Sequence, residues 1–156
     1  MTLLPFFEWC EATALGLAVR ESVWLFPVVE AVHLLGLCLL GGALLVVDLR
    51  MLGAGLTRTP LQMLARQARP WLMAGVGTMV ATGTVLFLSE AIKCYYSQAF
   101  WVKITTLPVA LLFTFAVRQR VALGEHTTTR LAAATGAISI ALWFTVAAAG
   151  RWIGFS

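Results

Sequence analysis

Glu30 and His33 lie three residues apart inside one long apolar run, Ser22 to Arg50, SVWLFPVVEAVHLLGLCLLGGALLVVDLR. On a helix that spacing makes them neighbours on one face. A carboxylate beside an imidazole can relay a proton, and a neutral imidazole can ligate a metal or a haem iron. Counted from Ser22 at about 1.5 Å per residue, Glu30 falls roughly 12 Å and His33 roughly 16 Å into the run, near the middle of a bilayer. An ionised residue at that depth costs about 2.5–3.5 kcal/mol on insertion scales, so such residues face a bundle interior and find partners. Lys103, one turn into a later apolar run, and Arg151, just past the last one, bring positive charge to the same end. Facing inward, Lys103 can bind a haem propionate, an anionic substrate or the Glu30 carboxylate. Snorkelling to the headgroups accounts for Arg151, and for Lys103 about as well as an ion pair does.

Three readings of His33 therefore compete. It is an axial or metal ligand, for a b-type haem or copper. It relays protons with Glu30. Or it is a structural hydrogen-bonding residue in a buried Glu30–His33–Lys103 network. The haem reading needs a second ligand or a five-coordinate iron. His126 falls in the stretch between the third and fourth apolar runs. From His33 to the inner end of the first span is about sixteen residues, or roughly 24 Å of helix, so His33 and His126 should not meet on one iron within one chain. Met73, Met79 or a second His33 across a dimer remain. Asp48, in Asp48-Leu49-Arg50, reads as a topology and packing device that pairs with an arginine of the inner loops. No nucleotide loop, serine–histidine–acid set or paired zinc ligands occur, so standard hydrolase and ATPase readings fall away. Nothing in the chain assigns it an enzyme activity.

The elements that must position these residues follow from composition. Of 156 residues, 60% are hydrophobic and 12% charged, against about 25% charged in average soluble domains. The mean hydropathy is +0.89. This is the composition of an all-α, polytopic membrane protein. Four spans are expected, at residues 23–47, 71–89, 100–117 and 131–150, forming one four-transmembrane-helix bundle in a single domain, 1–156. Arg50, Arg58, Arg66, Arg69, Arg118, Arg120 and Arg130 fall between the first and second or the third and fourth spans. By the positive-inside rule those loops are cytoplasmic and both termini periplasmic, in the inner membrane. Trp9, Trp24, Tyr95, Tyr96, Trp101 and Trp152 then form an outer aromatic belt. The formal net charge of +4 is spread out, with no basic block of the kind that binds nucleic acid.

Ahead of the first span, residues 5–19 read as one amphipathic helix in the outer interface, with Phe6, Phe7, Cys10 and Leu17 on its apolar side and Trp9 as an anchor. Its first charges are Glu8 and Glu11, unlike a signal peptide. Leu61, Met63 and Leu64 suggest a short surface helix before the second span. Cys10, Cys38 and Cys94 form no zinc framework, and a Cys10–Cys94 disulfide on the outer side is allowed. Small residues, including Gly36, Gly41 and Gly42, Ala74, Thr78 and Thr82, Gly75 and Gly83, Ala132 and Gly136, and Thr135 and Ser139, form stripes suited to close helix packing or to a flat cofactor.

The segment HLLGLCLLGGALLVVDLRMLG, His33 to Gly53, with the later Phe100-Trp101-Val102-Lys103 and Gly150-Arg151-Trp152, resembles an uncharacterised family of small bacterial four-helix membrane proteins. That resemblance implies a fold but no activity. A histidine followed by a glycine-rich half-span is also similar to copper-resistance-type membrane domains and membrane b-type cytochromes. Those proteins use histidines on more than one helix, whereas here only His33 lies in a span. The expected function is a small redox or metal-linked membrane subunit using His33, with Lys103 and Arg151 as cofactor-binding cations. It would work with a periplasmic or membrane partner, or as a homo-oligomer sharing a site. The alternative is a non-enzymatic subunit or small-solute or proton pathway built on the Glu30–His33–Lys103 network.

Overall fold

Long apolar runs with small residues at contact points build helices that pack closely, and the computed structural model, which describes residues 3–124 and 127–155, is helical throughout its spans. Among the described residues seven helices follow in order: α1 Leu4–Glu11, α2 Ala14–Glu21, α3 Leu25–Met51, α4 Leu61–Ser89, α5 Ala91–Tyr96, α6 Gln98–Leu123 and α7 Thr129–Ile153. The four long ones, with 27, 29, 26 and 25 residues, are long and apolar enough to cross a membrane. At about 1.5 Å per residue each exceeds a hydrocarbon core of about 30 Å, so in a membrane that they cross their end turns would reach the headgroup layers.

The helix ends differ from the sequence expectation where solvated turns decide them. α4 begins at Leu61 and continues through Pro70, so the expected surface helix and the second span are one rod. Proline deletes only one backbone bond, to the carbonyl of Arg66, at an exposed turn. The N-terminal segment is two helices rather than one. Thr13 breaks it: its hydroxyl donates to the Cys10 carbonyl at 2.8 Å and accepts from Gly16 N at 3.2 Å, capping α2.

This segment is docked on the end of the bundle. Phe7 packs at centroid distances of 5.5, 5.2, 6.0 and 5.9 Å from Phe87, Tyr95, Phe100 and Trp101. Phe6 and Trp9 point outward, so Phe6 does not share the buried side with Phe7 and Cys10. Glu11 accepts from Ile92 N at 2.7 Å and pairs with Arg20, joining α1, α2 and the start of α5 through one carboxylate. At α2, a Cβ on Gly16 would lie 2.5 Å from the Leu88 carbonyl oxygen. We call this the aromatic end, and the opposite one the arginine-rich end.

The bundle is drawn together by small residues. A Cβ on Gly75 would stand 2.8 Å from Leu40 N, and one on Gly136 would stand 2.9 Å from the Asp48 carbonyl oxygen. These close approaches seat α4 and α7 on α3, the mode of association open to helices in lipid, where apolar burial drives little. Gly41 and Gly42 meet nothing within 4 Å and lie off the contact, and Ala74 is exposed. Within α6, Ala110, Thr114, Arg118 and Ala122 are all buried, at a strict spacing of four. In an α-helix such a stripe rotates about 40° at each step. Phe113–Arg118 is π-helical, wound more loosely, which keeps the stripe facing the bundle.

Candidate functional site

Two polar clusters lie between the long helices. Toward the aromatic end, α3 turns the partly buried His33 onto α4. Its Nδ1 stands 2.7 Å from Thr82 Oγ1, and the Thr82 hydroxyl donates to the Thr78 carbonyl at 2.6 Å. A threonine hydroxyl has one proton, and here the helix carbonyl takes it. With that proton directed at the carbonyl the oxygen accepts at His33, the arrangement that matches an imidazole with its proton on Nδ1 and its Nε2 lone pair available. Gly83 makes room for the ring: a Cβ there would sit 3.3 Å from His33 Cε1.

Lys103 enters the same region from α6. Its stem runs along α7, with Nζ 3.2 Å from where a Cβ on Gly150 would stand. It is partly buried, within electrostatic reach of the His33 ring, and among the described residues it has no ion-pair or hydrogen-bond partner. The other expected members lie elsewhere. Glu30 is exposed on α3, about five residues, or roughly 8 Å, from the helix start at Leu25 and thus shallower than the midplane. Among the described residues it pairs with neither Lys103 nor His33. Arg151 is exposed and lays its guanidinium 4.4 Å over the Phe155 ring, away from the interior. Of the two methionines, Met73 is exposed, whereas Met79 faces α3, its Sδ 3.5 Å from the Cβ position of Gly36. His126, expected in a loop, lies outside the described residues.

The second cluster lies toward the arginine-rich end. Asp48 of α3 accepts from Arg118 Nε at 2.5 Å and from Ser139 Oγ at 2.7 Å, one on each carboxylate oxygen. Arg118 Nη2 also donates to the Leu44 carbonyl at 3.0 Å. Further along α6 and α7, Trp143 Nε1 donates to Thr114 Oγ1 at 2.9 Å. Three helices are tied here through satisfied partners. Asp48 does meet an arginine of the expected set, but Arg118 is a buried helix residue and not a loop one. Its signal in the sequence is the four-residue spacing with Thr114, opposite Ser139.

What these clusters can bind follows from their donors. Among the described residues no group of three or more His, Cys, Asp or Glu converges on one point. A bare ion therefore has no protein cage there. His33 Nε2 suits instead a metal that brings most of its own ligands, as haem iron does. Cys10 and Cys94 share a buried apolar cluster with Phe7 and Ala91, and both thiols are free. Burial, and then the nearby Glu90 charge, push the Cys94 thiol up to about 11.

A family of unknown function, DUF6644, has a model that matches residues 6–156. No curated protein and no solved structure matches the chain.

Proposed function

The chain belongs to the DUF6644 family, of unknown function, and from that premise we propose that it is a membrane redox subunit that binds a haem-type metal cofactor through His33 Nε2. The observation that carries the reading is the Thr78–Thr82–His33 relay of hydrogen bonds. Metal-bound histidines almost always donate their second ring N–H to a fixed acceptor, which holds the tautomer and the ring plane. His33 has that arrangement on its Nδ1 side. Lys103, cationic and unpartnered among the described residues, is placed to neutralise a propionate or other anionic group of the cofactor. Haem iron, when bound, supplies one-electron exchange. His33 would hold it and set its orientation through the fixed imidazole, and the Phe7 aromatic cluster would screen it from water. Met79, whose Sδ faces α3, is a thioether that would be available to the same group.

The same reading assigns the arginine-rich end to the cytoplasm, by the positive-inside rule, and the His33 site and both termini to the periplasmic half of an inner membrane. α1 and α2 then lie at the outer interface with Trp9 and Trp24 in the headgroups. Electrons would be exchanged with a periplasmic or membrane protein, or with a second copy of the chain. The test is iron and haem per chain in protein expressed with haem precursor. His33→Ala should lose the bound iron while keeping its helical content. Iron content equal to wild type in that variant removes the ligand assignment.

One observation favours a second reading. An unpartnered, partly buried lysine ammonium can also meet a small anionic solute entering from the aromatic end, making the protein a non-enzymatic anion-binding or passage subunit. Such a protein is colourless.

A further inference from the structure

A groove of about 460 Å³ opens at the arginine-rich end, lined by Pro60, Gln62, Met63, Arg66 and Gln67 of the α4 start and by Leu123 at the end of α6. We propose that it is a binding site for the headgroup of an anionic phospholipid, with the phosphate on Arg66 and the first acyl carbons against Met63 and Leu123. This site is separate from the His33 region and does not rest on the haem reading.

Depth is the first support. α4 has 29 residues, about 43 Å of helix against a hydrocarbon core of about 30 Å. The excess of roughly 13 Å equals about nine residues. With Ser89 at the far boundary of the core, the turns from Leu61 to Arg69 stand at headgroup level. Trp71, exposed and two residues further in, is the residue type that marks that boundary.

The lining chemistry is the second. Arg66, Gln62 and Gln67 offer a cation and amide donors, and among the described residues no carboxylate lines the groove. Met63, 51% exposed, and Leu123 offer apolar surface that a bare anion cannot use. A phospholipid has both halves in one molecule. The walls are also fixed without a ligand. Gln62 Nε2 donates to the Gly124 carbonyl at 3.1 Å, tying α4 to the end of α6, and Thr127 Oγ1 donates to the Val121 carbonyl in the last turn of α6 at 2.8 Å.

Charge is the third. Of the arginines at this end, Arg118 is held by Asp48, and Arg50 donates to the Thr59 carbonyl at 2.8 Å. Arg66 is exposed and has no ion-pair or hydrogen-bond partner among the described residues. Basic pockets on the cytoplasmic side of helix bundles are the places where anionic headgroups bind.

The test uses the full chain in detergent, titrated with phosphatidylglycerol or phosphatidylcholine and read by native mass spectrometry. Wild type should retain one phosphatidylglycerol in preference to phosphatidylcholine. Arg66→Gln should weaken that binding about fivefold, the worth of one surface cation. Arg130→Gln removes the same charge from the exposed start of α7, outside the groove, and should leave it unchanged. Met63→Glu sets a carboxylate in the apolar wall and should abolish the preferred adduct, which keeps the proposal testable should Arg66→Gln fold poorly. Equal weakening by Arg66→Gln and Arg130→Gln would reduce the site to a diffuse positive end. Displacement of the lipid by excess inorganic phosphate would assign the groove to a free anion. Either result overturns the proposal, as does the absence of any preference for phosphatidylglycerol.

Discussion

Asp48 and Arg118, seventy residues apart in the chain, form an ion pair that is 1% and 2% exposed, with Nε 2.5 Å from Oδ1. The pair survives burial because two more of its polar atoms are bonded. Ser139 takes the second carboxylate oxygen and the Leu44 carbonyl takes Nη2. A buried pair without such partners loses more in desolvation than it gains in attraction. Asp48→Ala should therefore strand the Arg118 charge and destabilise the bundle by about 3–5 kcal/mol. Asp48→Ala combined with Arg118→Met should recover much of that loss. Denaturant unfolding in mixed micelles measures both, and a double variant no more stable than Asp48→Ala would show that the pair is not the unit of stability.

The contact of α3 with α4 rests on the absence of side chains at particular glycines. A methyl group at Gly75 would meet the Leu40 backbone at 2.8–2.9 Å, which only a shift of helix against helix can relieve. Gly75→Ala should cost about 1–3 kcal/mol, as overpacking does. Gly77→Ala, two residues on with nothing within 4 Å, should be neutral or slightly stabilising through helix propensity. Thermal melts of the two variants side by side decide it, and equal midpoints would place the helix contact elsewhere.

Cys94 makes the aromatic end sensitive to high pH. Its thiol has an ordinary value of 9.0 and is raised to about 11 in the fold. A group whose pKa rises on folding stabilises the folded state fully below its unfolded value and stops doing so as pH climbs through the folded one. The melting midpoint should fall between pH 9 and 11, and it should fall less steeply in Cys94→Ala, which has no thiol to ionise. Parallel pH profiles for wild type and variant would contradict this.

The Thr82 hydroxyl acts on His33 from behind. Thr82→Val keeps the shape and removes the acceptor at Nδ1. Loss of such a partner weakens metal affinity roughly 10–100-fold. Haem titration of the apoprotein should show that weakening for Thr82→Val, and Thr82→Ser should restore most of it. Identical affinities for valine and threonine would mean that the ring is oriented by packing on Gly83 alone.

Four long apolar helices were legible from hydropathy, because about 20 apolar residues have few other solutions in water or lipid. Where those helices stop was less legible. Leu61 and Pro70 lie ahead of the apolar stretch of their helix, in polar turns where hydropathy does not mark a helix start. Counting arginines for topology treats each one near a span end as a headgroup residue, which puts Arg118 in a loop. Its burial depends on Asp48 and Ser139, on helices that the sequence cannot juxtapose. Glu30 and His33 are neighbours at i and i+3, yet a helix turns them about 60° apart. That angle suffices to leave one on the contact with Thr82 and the other on the outer surface. The free Nε2 of His33 was invisible for the same reason, since it follows from what Thr82 does with its single proton.

The most direct test of the central claim is the visible spectrum of the purified protein, oxidised and then reduced with dithionite, after expression with haem precursor supplied. The account predicts a Soret band with sharpened bands on reduction in wild type, and their loss in His33→Ala. A featureless wild-type spectrum, or an unchanged one in His33→Ala, would contradict it.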